Sequence, residues 1–295
     1  MTDPRTDPVD LSSLARPSGA FAMVAVDQRE ALRAMFAERH GEPVPDERLT
    51  EFKLAAVRTL TPYASAVLVD RDFALDRVIE EKATAAGCAL IAAADRFLPG
   101  PGEFVADVEI DEAVDPAGYA AQGVAALKLL VIHRPDEAPE PRIAMVRRFV
   151  DRCRAAGLIS IIEPVSRPPR DGRDWDWNAC VLAAAEELGA LGADLYKAEI
   201  PLHGEGDEAE IRRRCAHITA VVASPWVVLS SGVRHEVFPR AVGLACAAGA
   251  SGFLAGRAVW RPVIGRSDVE AALRRISVPR LQELVHIVDE AVAAR

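Results

Sequence analysis

The sequence predicts an α/β fold closed as a TIM (β/α)8 barrel, and three observations predict it. Short apolar runs alternate with amphipathic stretches to make eight β-then-α units within 295 residues. The runs are apolar on both faces, as strands of a parallel sheet covered by helices must be. Polar residues recur at the C-terminal ends of the runs, where a barrel collects its functional groups. The rival, an open doubly wound sheet, carries nucleotide-binding signatures. No G-x-G-x-x-G follows the first strand, and there is no Walker motif. With no tandem repeat and no linker, the chain reads as a mobile leader over residues 1–17 and a single barrel domain over residues 18–295.

The first strand is the run over residues 19–27, apolar up to its closing carboxylate, Asp27. Polar, proline-rich sequence through Pro45 then leads to a helix over residues 47–60, where Leu49, Phe52, Ala56 and Leu60 recur at helical spacing. The second strand is 65–70, and the helix after it runs to Ala86, where Gly87 stops it. The third strand, 88–94, ends at Asp95, and Pro99-Gly100-Pro101-Gly102 predicts an irregular loop. A short helix over 116–122 precedes the fourth strand, 126–132, and a long helix over 142–156 precedes the fifth, 158–164. Residues 167–177, rich in Arg, Pro and Trp, read as an excursion above that strand. A helix over 178–191 delivers the chain to the sixth strand, 193–200, bounded by Gly192 and Pro201. Helices over 207–222 and 238–248 alternate with strands over 226–232 and 251–256, and a helix over 278–294 closes the chain.

Composition narrows the function. A formal charge of −9 and a pI near 5.3 argue against nucleic acid as a partner, so a small anionic substrate would need a local basic pocket. The five cysteines are odd in number, widely spread and without a C-x-x-C pair, which indicates neither a disulfide framework nor a zinc knuckle. A reducing, cytoplasmic setting follows from that usage. The N-terminus is polar and acidic, and no apolar run approaches about 18 residues, so neither a signal peptide nor a membrane span is expected.

The polar residues at the strand ends are Asp27, Asp70, Asp95, Lys128, Glu163, Lys197, Ser231-Gly232 and Gly256-Arg257. Lys197 stands in the middle of an apolar strand, where an ammonium is costly unless it is paired or neutral. It is either an amine nucleophile or a structural lysine, snorkelling to the surface or bridged to Glu199. Nucleophilic use requires proton loss near pH 7, which from an ordinary value near 10.4 costs about 3 to 4 kcal/mol. Desolvation and a second cation, for which Lys128 is placed, both favour that loss. Lys128 also reads as the partner of Glu163 or Asp27 in an ion pair, and the two readings are compatible. If Lys197 attacks a ketone, the iminium is an electron sink that drives cleavage of a neighbouring C–C bond. Glu163 would then take the proton of the leaving aldehyde's hydroxyl, and Asp27 would orient the amine or the substrate.

Ser231, Gly232, Gly256 and Arg257 fall where barrels commonly hold phosphate, although the glycines alone could simply make tight turns. Six histidines lack H-x-H and H-x-x-x-H spacing, which disfavours a zinc site, while His133 and His203 follow strands and could line the mouth.

Phe-Ala-Met-Val-Ala-Val-Asp-Gln-Arg-Glu-Ala (21–31), Ala-Leu-Lys-Leu-Leu-Val (126–131), Ser-Ile-Ile-Glu-Pro-Val (160–165) with Arg-Pro-Pro-Arg (167–170), Gly-Ala-Asp-Leu-Tyr-Lys (192–197), Leu-Ser-Ser-Gly-Val (229–233) and the run from Ala248 to Trp260 carry a resemblance. The chain resembles class I, Schiff-base-forming aldolases of the tagatose-bisphosphate type, and within them is most similar to the sulfofructosephosphate aldolases. The resemblance implies a metal-free, cofactor-free retro-aldol cleavage in which Lys197 forms the Schiff base, Glu163 is the acid/base, and Lys128 and Asp27 assist. It implies a phosphate site at Ser231, Gly232, Gly256 and Arg257. The implied substrate is 6-deoxy-6-sulfofructose 1-phosphate of sulfoquinovose breakdown, split into dihydroxyacetone phosphate and 3-sulfolactaldehyde, and a homo-oligomer (dimer or tetramer) is implied as well. An aldolase for tagatose or fructose 1,6-bisphosphate using the same lysine is the near alternative, with Gln28 and Arg29 as candidate grips on the distal anion in either case. A non-catalytic barrel acting as a sensor is the distant one.

Overall fold

The computed structural model describes residues 9–295, and eight of its strands close into a parallel barrel in the order β1-β10-β9-β8-β7-β6-β3-β2. In chain order these are β1 (Phe21–Ala25), β2 (Ala66–Val69), β3 (Ala89–Ala93), β6 (Val124–His133), β7 (Ile159–Ser166), β8 (Leu195–Ala198), β9 (Trp226–Leu229) and β10 (Gly252–Ala255). An antiparallel hairpin, β4 (Asp95–Gly100) and β5 (Glu103–Ile110), is inserted between β3 and β6. The helices are α1 (Glu30–His40), α2 (Asp46–Leu60), α3 (Leu75–Glu80), α4 (Pro116–Ala121), α5 (Glu140–Ala156), α6 (Trp177–Leu188), α7 (Glu208–Val221), α8 (Phe238–Ala247), α9 (Arg257–Trp260), α10 (Val269–Ala272) and α11 (Val278–Ala293). Among the described residues no helix is long and apolar enough to cross a membrane.

The barrel strands are buried from end to end with few exceptions, because one face fills the lumen and the other packs on helices. Phe21, Met23, Leu68, Ile91, Ile161, Leu195, Val227 and Leu254 fill the lumen, so alternation along each strand decides what else points inward. On β6 the register pairs Lys128 with Ile161 and Leu130 with Glu163 of β7. Lys128, Glu163 and Lys197 thus share the lumen's parity, above the apolar layers. Helix ends are set locally: Asp176 and Asp207 accept N–H bonds at the starts of α6 and α7, and Gly41 and Gly157 end α1 and α5 in the left-handed conformation.

Four expectations are corrected. The polar stretch before Pro45 contains α1, whose Leu32 and Phe36 are buried at helical spacing while the rest of the surface stays charged. The Pro-Gly-Pro-Gly segment is the turn of the hairpin, and the signal is the alternation of buried Ala106, Val108 and Ile110 with exposed Asp107 and Glu109. The helix after β2 ends at Glu80 rather than Ala86, with Lys82 already at φ 46°. The leader boundary also moves. Residues 1–8 lie outside the described residues, but Leu14 is fully buried against Phe21, Ala66, Ile159 and Leu195, closing the N-terminal end of the lumen.

Leu14 belongs to the buried cluster at that end, so truncating it leaves a cavity. Leu14→Ala is therefore expected to lower the unfolding free energy by about 2–4 kcal/mol in urea titration. Turnover, sited at the other end of the barrel, should be unaffected below the transition.

Candidate active site

At the C-terminal ends of the strands lies a cavity of about 500 Å³. Asp27, Gln28, Arg29, Glu163, Lys197, Ser231, Gly256 and Arg257 all line it. Lys128 lies beneath its floor with no exposed side-chain surface, and Gly232 does not line it: a Cβ there would meet His203 Nδ1 at 2.9 Å. The hairpin supplies the apolar part of the wall through Phe97, Pro99, Phe104 and Val105, with the charged Arg96 and Glu103 beside them.

Lys128 Nζ is 2.7 Å from Asp27 Oδ2, 2.8 Å from Asp95 Oδ2 and 3.2 Å from Glu163 Oε2. Burial opposes its charge, but the three carboxylates outweigh burial and hold it cationic well above the usual lysine range. Asp27 shows the converse. Burial would raise it, yet Lys128 first and Lys197 second keep it ionised below the ordinary range. Lys197 Nζ lies 2.9 Å from Glu163 Oε2, so one carboxylate oxygen stands between two amines. Lys197 is neither snorkelling, at 2% side-chain exposure, nor paired with Glu199.

The sequence places Asp95 among the strand-end polar residues without giving it a role, yet it organises the floor. One oxygen accepts from Lys128 Nζ and from the Leu130 N–H at 3.0 Å, and the other accepts from Arg29 Nη2 at 2.9 Å. Its position at a strand end was the available signal. Arg29 also reaches Asp72 at 3.2 Å and lies 4.1 Å above the Phe97 ring, so its charge is spent within the protein. Gln28 reaches across the cavity wall to Gly256: its Nε2 is 3.0 Å from where a Cβ on Gly256 would sit. The same added Cβ would lie 2.5 Å from the Ala25 carbonyl oxygen, which is why that close approach needs glycine.

Arg257 donates to Ser231 Oγ, bringing the ends of β9 and β10 together at the cavity wall. Its guanidinium is pushed below the usual arginine value by burial, then by the nearby Arg261 and Arg167 charges. Such a grouping favours an anion.

The two histidines do not line the cavity. His133 is buried at the outer side of the barrel, 3.6 Å from Glu187 of α6, and His203 stacks on Trp177 at 3.8 Å. Glu199, just past β8, is buried and accepts the Ser166 N–H at 2.8 Å. Burial pushes its carboxyl up to about 7, against the Ser166 bond and the Arg167 charge.

The DeoC/LacD family aldolase profile matches residues 21–262. The chain is 27% identical to a tagatose 1,6-diphosphate aldolase of Listeria monocytogenes, over 95% of this chain and 90% of that one. Among solved structures it is similar to an archaeal fructose-1,6-bisphosphate aldolase whose catalytic lysine is covalently bound to the carbinolamine intermediate. The TM-score there is 0.61 at 14% identity, over 94% and 96% of the two chains. It is also similar to the fructose-bisphosphate aldolase of Plasmodium falciparum, with a TM-score of 0.68 at 13% identity, over 96% of each chain.

A carboxyl raised in the folded state is neutral at no cost below its unfolded value, and its contribution to stability is lost as pH rises toward the folded value. For Glu199 that window runs from the ordinary 4.5 to about 7. Glu199→Gln should therefore stabilise the protein by about 1–3 kcal/mol at pH 8 and by little at pH 5, read by denaturant unfolding at both. An equal effect at the two pH values would refute the assignment.

Proposed function

The chain belongs to the DeoC/LacD family of aldolases, and from that premise we propose that it is a class I enzyme cleaving a ketohexose 1-phosphate through a Schiff base on Lys197. The observation that carries this reading is the pair of amines about one carboxylate, with Lys197 2.9 Å and Lys128 3.2 Å from Glu163 Oε2. A nucleophilic amine must be neutral, and Glu163 is within reach of its proton while Lys128 keeps the site's positive charge.

Neutral Lys197 adds to the C2 ketone, and loss of water gives an iminium. Glu163 takes the C4 hydroxyl proton, the C3–C4 bond breaks, and its electron pair enters the iminium to form an enamine as the aldehyde leaves. Protonation at C3 and addition of water release dihydroxyacetone phosphate and restore the lysine. The iminium is itself the electron sink, so the chemistry needs no metal or organic cofactor. Asp27, held ionised beside Lys128, is placed to orient the amine and the sugar hydroxyls. Ser231 and Arg257, with the backbone at Gly232 and Gly256, supply the C1-phosphate cradle.

For the substrate we favour 6-deoxy-6-sulfofructose 1-phosphate, yielding dihydroxyacetone phosphate and 3-sulfolactaldehyde. The motif resemblance supports it, and so does the neutralisation of Arg29, since a sulfonate carries one charge where a phosphate carries nearly two at pH 7. A tagatose or fructose 1,6-bisphosphate substrate is the second reading, favoured by the name of the Listeria relative.

The test is kcat/KM on the three substrates in excess EDTA, with dihydroxyacetone phosphate read by a coupled dehydrogenase. We expect full activity in EDTA and a preference for the sulfosugar of at least tenfold, about 1.4 kcal/mol in transition-state binding. Equal or better cleavage of a bisphosphate selects the second reading. Lys197→Ala should abolish turnover and borohydride capture of dihydroxyacetone phosphate. Unchanged cleavage in that variant would remove Lys197 from the mechanism.

A further inference from the structure

The arginines around the mouth divide by what neutralises them. Arg29 is held by Asp95 and Asp72, Arg96 by Glu109, Arg134 by Glu103 and Arg170 by Glu137. Arg257 bonds Ser231 and belongs to the phosphate cradle just described. Arg167 lines the same cavity, half-buried, and its guanidinium donates only to the carbonyl of its own neighbour Ser166, at 3.2 Å. It forms no ion pair among the described residues. Glu199 feels its charge through space, but its carboxylate is spent on the Ser166 N–H.

Strand order fixes how a substrate lies. Around the barrel come β10, β9, β8 and β7, carrying at or just beyond their ends Arg257, Ser231, Lys197 and Glu163. A ketose with its C1 phosphate on Arg257 and Ser231 and its C2 on Lys197 must extend C3 and C4 toward Glu163. Its far end then rises past the end of β7, where Arg167 emerges beyond Glu163. We infer that Arg167 grips the anion at the far end of the substrate and sets the preference for ketose phosphates charged at both ends. The inference rests on the Schiff-base reading of Lys197.

An arginine tied only to its neighbour's carbonyl can be replaced without unpairing a buried charge. In Arg167→Met, kcat/KM for 6-deoxy-6-sulfofructose 1-phosphate and for fructose 1,6-bisphosphate should fall at least tenfold more than for fructose 1-phosphate, which has no distal anion. Most of the loss should be in KM, with partial recovery in Arg167→Lys. Equal losses on both kinds of substrate would overturn the inference, as would a wild-type enzyme that does not discriminate between them. Cleavage of fructose 1-phosphate with borohydride capture on Lys197 would still uphold the Schiff-base reading in either case. Absence of both in the wild type would defeat that reading, and the inference with it.

Discussion

The interaction on which the site depends is the buried ammonium of Lys128 among Asp27, Asp95 and Glu163. A lone ammonium at that depth would be driven neutral, and the carboxylates around it are what hold Lys128 charged, as Lys128 in turn holds Asp27 ionised. The cluster ties β6 to the end of β1, to the first residue of the hairpin and to β7. It therefore fixes the relative heights of four segments. It also separates two lysines of like burial: Lys128 has three carboxylates and stays charged, whereas Lys197 has one, which it must share. Glu163 is thus shared between the two amines, which is what the Schiff-base reading of Lys197 asks of its proton acceptor.

A second buried pair lies one layer outward. Lys53 and Asp70 are fully enclosed and bonded to each other, with Lys53 also near the Phe73 ring. Burial pulls the lysine down and pushes the carboxyl up, against their mutual attraction. Removing one partner of such a pair leaves an uncompensated buried charge, which costs about 3–5 kcal/mol. Its field reaches both Asp27 and Arg29, so it helps hold the floor in its ionised arrangement.

The barrel was legible because its signals are local and repeated: apolar runs, caps, glycines and a polar residue at each strand end. Asp27, Glu163 and Lys197 were legible at the site for the same reason, since a barrel's topology carries inward-facing strand ends to one mouth, and Lys128 at the floor below them. Pairings were not legible. Nothing near Arg29 in sequence announces that Asp95, 66 residues on, takes its charge, or that Phe97 covers it. Arg29 consequently read as a free grip, when it is a brace between α1 and the hairpin. The hairpin was hidden because Pro and Gly at its turn resemble a loop, and α1 because its apolar stripe is narrow.

The pairings also determine what the cavity asks of a ligand. Asp27, Asp70, Asp95 and Glu163 lie among Lys53, Arg29, Lys128 and Lys197, so acidic and basic side chains at and beneath the floor are matched four to four. A balanced floor does not attract an anion, and it need not reorganise when one arrives. Attraction falls to the arginines left over at the rim: Arg257, whose charge is opposed by burial and by the neighbouring Arg261 and Arg167, and Arg167, which forms no ion pair among the described residues. On the proposed reading, an anionic substrate lying between them relieves that repulsion while its carbonyl reaches Lys197. The chemistry is thus kept apart from the charge that recruits the substrate. On that reading binding can be tuned at the rim without disturbing the carboxylates gathered around Lys128.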